Sequence, residues 1–171
     1  MSVAKFCTLD AYQIGAWTVF FSVAAGVAAT LTGLIFVAVS INLSRILEFP
    51  GLSDRAAESI LQLVAALVIP LIGLVPDQSL MSLGIQVTLG GLVVWILQIR
   101  FQRRSLRVPE GRRRPFISFA LSQAATILFI LGGIATVARM FGGLYWLVPG
   151  VIFSITVGVS NAWVLLVEIL R

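Results

Sequence analysis

The sequence predicts an all-α fold: a polytopic transmembrane helical bundle of five spans, N-out and C-in. Three observations predict it. The chain of 171 residues is 59% apolar and only 11% charged, where an ordinary soluble domain carries roughly a quarter charged residues. Its mean hydropathy is +1.05. Its apolar residues gather in five runs, each long enough to supply the ~20 helical residues that cross a hydrocarbon core of about 30 Å. A water-soluble globule is excluded, and the length fits a single transmembrane domain over 1–171.

The first span covers about 16–43 and carries no charge from Ala16 to Leu43. It exceeds the about 7–15 residues of a signal-peptide core, so it reads as an uncleaved span. Pro50 falls in the loop that follows, and the second span, about 56–75, is closed by Pro76. Pro70 lies inside this span, where its ring frees the carbonyl of Ala66 and predicts a kink near Gly73. The third span covers about 79–99 and runs into a basic loop at 100–115. The fourth and fifth, about 116–138 and 145–168, have Pro115 and Pro149 near their first turns, where a missing N–H costs little.

Arginines set the expected orientation. Arg100, Arg103, Arg104, Arg107, Arg112, Arg113 and Arg114 crowd the loop between spans three and four, and a short loop this basic stays cytoplasmic. With five spans, Arg45, Arg55 and Arg171 then fall on the same side. That side holds ten of the 12 basic residues, leaving only Lys5 and Arg139 outside.

The reactive inventory is small. There is no histidine, lysine occurs only as Lys5, and cysteine only as Cys7. Ser-His and Cys-His nucleophile pairs, His-ligated metals and haem, an intrachain disulfide and a buried Schiff-base lysine are therefore ruled out. No catalytic or metal-binding residue is predicted, and the chain reads as a non-enzyme. No cofactor is predicted either, although a groove for a lipid, quinone or pigment would leave no sequence signature. Nucleic-acid binding is not expected, because no folded reading surface accompanies the charge.

Polar residues inside the spans are Thr30, Thr32, Ser40, Asn42, Gln62, Gln86, Gln123 and Asn161, and their amides are read mainly as glue between helices. Glu58 and Glu168 fall near the inner ends, and Asp77 and Arg139 near the outer ends. Pairing of Asp77 with Arg139, and of Glu58 with Arg45, is a structural expectation. Small residues at four-residue spacing, Gly150, Ser154, Gly158 and Ala162 on the fifth span and Ala25, Ala29 and Gly33 on the first, are candidate helix-packing faces. A parallel row, Ala24, Ala28 and Thr32, lies beside the latter. Thr156-Val157-Gly158-Val159-Ser160 lacks the second glycine of a potassium-channel filter and is assigned to helix packing. Trp17, Trp95, Trp146 and Trp163 are assigned to helix ends at the interfaces.

The arginines of the basic loop are expected to contact anionic headgroups or an acidic partner. Arg100, Arg103, Arg104 and Arg107 would share one face if helix three continued past the membrane surface. The expected partners are membrane lipids and either other membrane subunits or copies of the chain itself.

The segments AATLTGLIFVAVSINL at 28–43 and FPGLSDRAAESILQL at 49–63 resemble small bacterial inner-membrane proteins often labelled modulator of FtsH protease. The likeness covers about the first 75 residues. It implies a multi-pass protein of the bacterial cytoplasmic membrane. The seven-span layout and acidic intramembrane pair of the Bax-inhibitor-like modulators have no counterpart here, so no site residue is carried over. The expected role is an accessory or regulatory subunit that acts by helix association. The alternative is a homo-oligomeric, anion-favouring channel lined by the first or fifth span and gated by Phe20, Phe21 and Phe36.

Overall fold

In the computed structural model, residues 12–48, 52–106 and 116–169 are described. A 3-10 turn, Ile14–Trp17, leads into α1 (Thr18–Ile41), followed by the short α2 (Leu43–Glu48), α3 (Leu52–Gly73), α4 (Leu80–Leu106) and α5 (Phe116–Ala138). A second 3-10 turn, Gly143–Trp146, enters α6 (Leu147–Ile169). There is no strand among the described residues. Five stretches are long and apolar enough to span a membrane: Ile14–Ile41, Ser53–Gly73, Leu80–Arg104, Phe119–Ala138 and Gly143–Trp163. Helices are the form such sequences take in lipid, because each N–H and C=O then finds its partner within the segment.

The third span differs from its sequence reading at one end. α4 continues to Leu106, so the first part of the expected basic loop is helical and carries Arg100, Arg103 and Arg104. Arg107, Arg112, Arg113 and Arg114 lie outside the described residues.

α3, α4, α5 and α6 form a closed ring in which each helix packs on the next and α6 returns to α3; α1 lies outside the ring, against α3 and more lightly against α6. α3 is therefore central, and Pro70 sits buried within it without ending it. The interior is divided by height. Toward the end carrying the two 3-10 turns it is apolar, with Phe21, Ala65, Ile69, Leu83, Val87, Phe129, Leu144, Leu147 and Val151 in one cluster. Toward the arginine-bearing end it is polar. Small hydroxyls on the outer helix make no demand on this core: Thr30, Thr32 and Ser40 donate to the carbonyls of Gly26, Ala28 and Phe36 in their own helix.

Close helix contacts rest on glycines. At the α4–α5 crossing, a Cβ on Gly133 would lie 2.7 Å from the backbone nitrogen of Thr88, and one on Gly84 would lie 2.8 Å from the carbonyl oxygen of Gly133. On α6, a Cβ on Gly150 would strike the Phe129 ring at 2.8 Å and one on Gly158 would strike Leu63 at 2.7 Å. Asp77 and Arg139 are exposed in turns, each with a positive φ (54° and 52°), and no ion pair joins them.

Gly133→Ala should force α4 and α5 apart, because the obstruction is backbone that cannot rotate away. We expect a loss of about 1–3 kcal/mol in reversible unfolding in mild detergent. Gly33→Ala, where a new Cβ meets nothing within 4 Å, should leave the same transition unchanged.

Candidate functional site

The polar half of the ring is built from pairs of residues four apart, which share a helix face. α3 contributes Glu58 and Gln62, α4 contributes Gln98 and Gln102, and α5 contributes Ser122 and Thr126; all six are buried, as is Ser154 of α6. Half-buried Gln123 and Trp95, which is 37% exposed, close the group at its edge. Gln62 follows the start of α3 by ten residues, so at ~1.5 Å per residue the group reaches about 15 Å into the bundle.

The hydrogen bonds share one direction. In the first chain, the Trp95 indole donates to Gln123 Oε1 at 2.9 Å, Gln123 Nε2 to Gln102 Oε1 at 2.7 Å, and Gln102 Nε2 to Glu58 Oε1 at 3.0 Å. In the second, Thr126 Oγ1 donates to Gln98 Oε1 at 2.7 Å and Gln98 Nε2 donates to Ser122 Oγ. In the third, Ser154 Oγ donates to Gln62 Oε1 at 3.2 Å and Gln62 Nε2 to Ser122 Oγ at 2.8 Å. Ser122 then passes its single hydroxyl proton to Glu58 Oε1 at 3.2 Å. Three chains from four helices thus end on one carboxylate oxygen. Ser122 is the junction, with its one donor and both acceptor lone pairs engaged.

This polarity has a physical meaning. A carboxylate in a low-dielectric interior is costly unless donors replace its water shell, and chained donors aligned in one sense strengthen one another. The site is therefore an internal solvation shell for Glu58. Its chemistry is that of donors converging on one acceptor oxygen. The hydroxyls are separated by amides, which do not readily pass protons along a chain, and above Ser154 the apolar cluster closes the interior. Among the described residues, no three His, Cys, Asp or Glu side chains gather in a way that could hold a metal.

The structure brings together only some of the residues singled out in the sequence. Gln62, Gln123 and Ser154 enter the network. Gly150, Gly158 and Ala162 are buried in the ring, whereas on α1 Ala25 is buried and Ala29 and Gly33 face outward. In the parallel row, Ala24 and Ala28 are buried and Thr32 is half-buried. Arg100, Arg103 and Arg104 are exposed on the opposite side of α4 from Gln98 and Gln102. Gln98, Gln102, Ser122 and Thr126 escaped the sequence reading. Their signal was the four-residue spacing of polar pairs on three successive spans. Compared with known protein families, curated proteins and solved structures, the chain matches none.

Ser122→Ala should cost about 2 kcal/mol, since it strands donors from two helices and each interhelical bond in a membrane protein is worth ~0.6 kcal/mol on average. Thr126→Val, which removes only the outer end of one chain, should cost about 1 kcal/mol or less. Unfolding of both variants in detergent micelles checks the order; equal costs would show that Ser122 is not the junction.

Proposed function

We propose that this protein is a non-catalytic, multi-pass subunit of the bacterial cytoplasmic membrane that acts by helix association, as an accessory or regulatory member of a larger complex. Gln86 carries this reading. It lies on the outward face of α4, exposed, six residues after Leu80, or about 9 Å into the span at ~1.5 Å per residue. One N–H of its amide goes to Ser82 Oγ at 2.8 Å, and among the described residues no donor reaches its Oε1. A lipid-facing amide with unmet hydrogen bonds is unfavourable in hydrocarbon, and a polar group on a neighbouring transmembrane helix relieves it. The outward-facing Gly26, Ala29 and Gly33 of α1 offer a second surface of close approach.

The arginine-bearing end supports an N-out, C-in orientation through the bias of short loops. The likeness of 28–43 and 49–63 to proteins labelled modulator of FtsH protease fits a regulatory role in a bacterial inner membrane. A channel finds less support: the hydroxyls of α1 are bound to their own helix, and Phe21 is buried while Phe36 is exposed.

The test is the mass and composition of the particle extracted in native lipid nanodiscs. Foreign subunits should accompany the 18.4 kDa chain, and Gln86→Leu should release most of them without unfolding the bundle. A lone chain would overturn the reading, and multiples of the chain alone would replace it with self-assembly.

A further inference from the structure

We propose that the outward face of α4 at the arginine-bearing end is a binding site for an anionic phospholipid. Its headgroup would be held by Arg100, Arg103 and Arg104, and its acyl chains would lie along Leu89, Val93 and Ile96. The three arginines are exposed, and none has an ion pair or hydrogen-bond partner among the described residues. Nearby Glu58 cannot neutralise them, because its carboxylate is buried on the other side of α4, among Gln102 and Ser122.

The apolar part of the seat is continuous with the charged part. Leu89, Val93 and Ile96 are 57%, 56% and 51% exposed, and residues 89, 93, 96, 100 and 103 follow at spacings of four and three, one face of a helix. Arg100 comes 20 residues after Leu80, which at 1.5 Å per residue is about 30 Å, the thickness of a hydrocarbon core. The arginines therefore stand at phosphate depth where the side chains below them stand at acyl depth. Gln98 and Gln102, locked into the interior, fix the rotation of α4 that presents this face. Guanidinium forks match phosphate oxygens in pairs, and each basic residue near an anionic surface adds roughly 1 kcal/mol, about a fivefold preference.

The test places the full chain in phosphatidylcholine vesicles containing a small fraction of brominated phosphatidylglycerol and reads tryptophan quenching, since Trp95 precedes Ile96 by one residue on α4, on the flank toward α5, and is 37% exposed. Brominated phosphatidylcholine at the same fraction is the reference. We expect a preference for phosphatidylglycerol of about tenfold or more, weakening with salt and falling toward unity in R100Q/R103Q/R104Q. Equal quenching by the two lipids, or a preference unchanged in the triple variant, would overturn the proposal. If the triple variant does not fold, W95F decides: the quenching specific to phosphatidylglycerol should largely disappear, and its persistence would place the lipid elsewhere and overturn the site. Displacement of the lipid by inorganic phosphate at matched ionic strength would show that the acyl seat contributes nothing. Displacement by polyglutamate under the same conditions would assign the surface to an acidic protein.

Discussion

The rest of the structure depends on a buried carboxylate that must be solvated by protein. Glu58 sits 4% exposed inside the ring of α3, α4, α5 and α6, in an environment where an unmet charge would be prohibitive. Amide and hydroxyl donors from the three neighbouring helices supply the shell that water would otherwise provide, directly or through one or two intermediaries. Because each donor must reach a fixed point, each helix has little freedom to rotate or slide. A requirement of electrostatics thus becomes a constraint on geometry.

The consequences run outward from that point. With Gln98 and Gln102 turned inward, α4 must turn Leu89, Val93, Ile96 and its described arginines toward the surroundings. With Ser122 and Thr126 turned inward, α5 meets α4 along Gly133, where only hydrogen fits between the backbones. The opposite half of the ring needs no such matching. There, Leu83, Val87, Phe129, Leu147 and Val151 interlock by shape, and packing alone holds the helices together. The bundle therefore joins a polar half that specifies register to an apolar half that supplies close packing.

The spans were legible because hydrocarbon thickness demands long apolar runs, and these stand out against any loop. The inward face of α6 was legible too, since Gly150, Ser154 and Gly158 repeat at the spacing of one helix face. The network was legible only in fragments. Gln62 and Gln123 stand alone in apolar surroundings and draw notice, whereas Gln102 lies among arginines and reads as part of a wet boundary. Ser122 looks like an ordinary small residue until the rotations of neighbouring helices place two amides on its hydroxyl. The α4–α5 crossing was hidden for a similar reason: Gly84 and Gly133 matter through their partner helix, and pairing between helices is not written in the local pattern of either one. Where α4 ends was obscured by charge, which marks the membrane boundary without ending the helix.

The central claim, that the donors act as one unit on Glu58, is tested most directly by a double-mutant cycle between Gln102→Leu and Ser122→Ala. These residues lie on different helices, have no hydrogen bond between their side chains, and share Glu58 Oε1 as acceptor. Either change alone leaves the carboxylate one of these two donors, while both together strip it of the pair. The account predicts that the double variant loses at least about 0.5 kcal/mol more than the two single losses combined. Additivity to within ~0.3 kcal/mol would contradict it, showing that the donors are independent contacts and that the carboxylate does not organise the bundle.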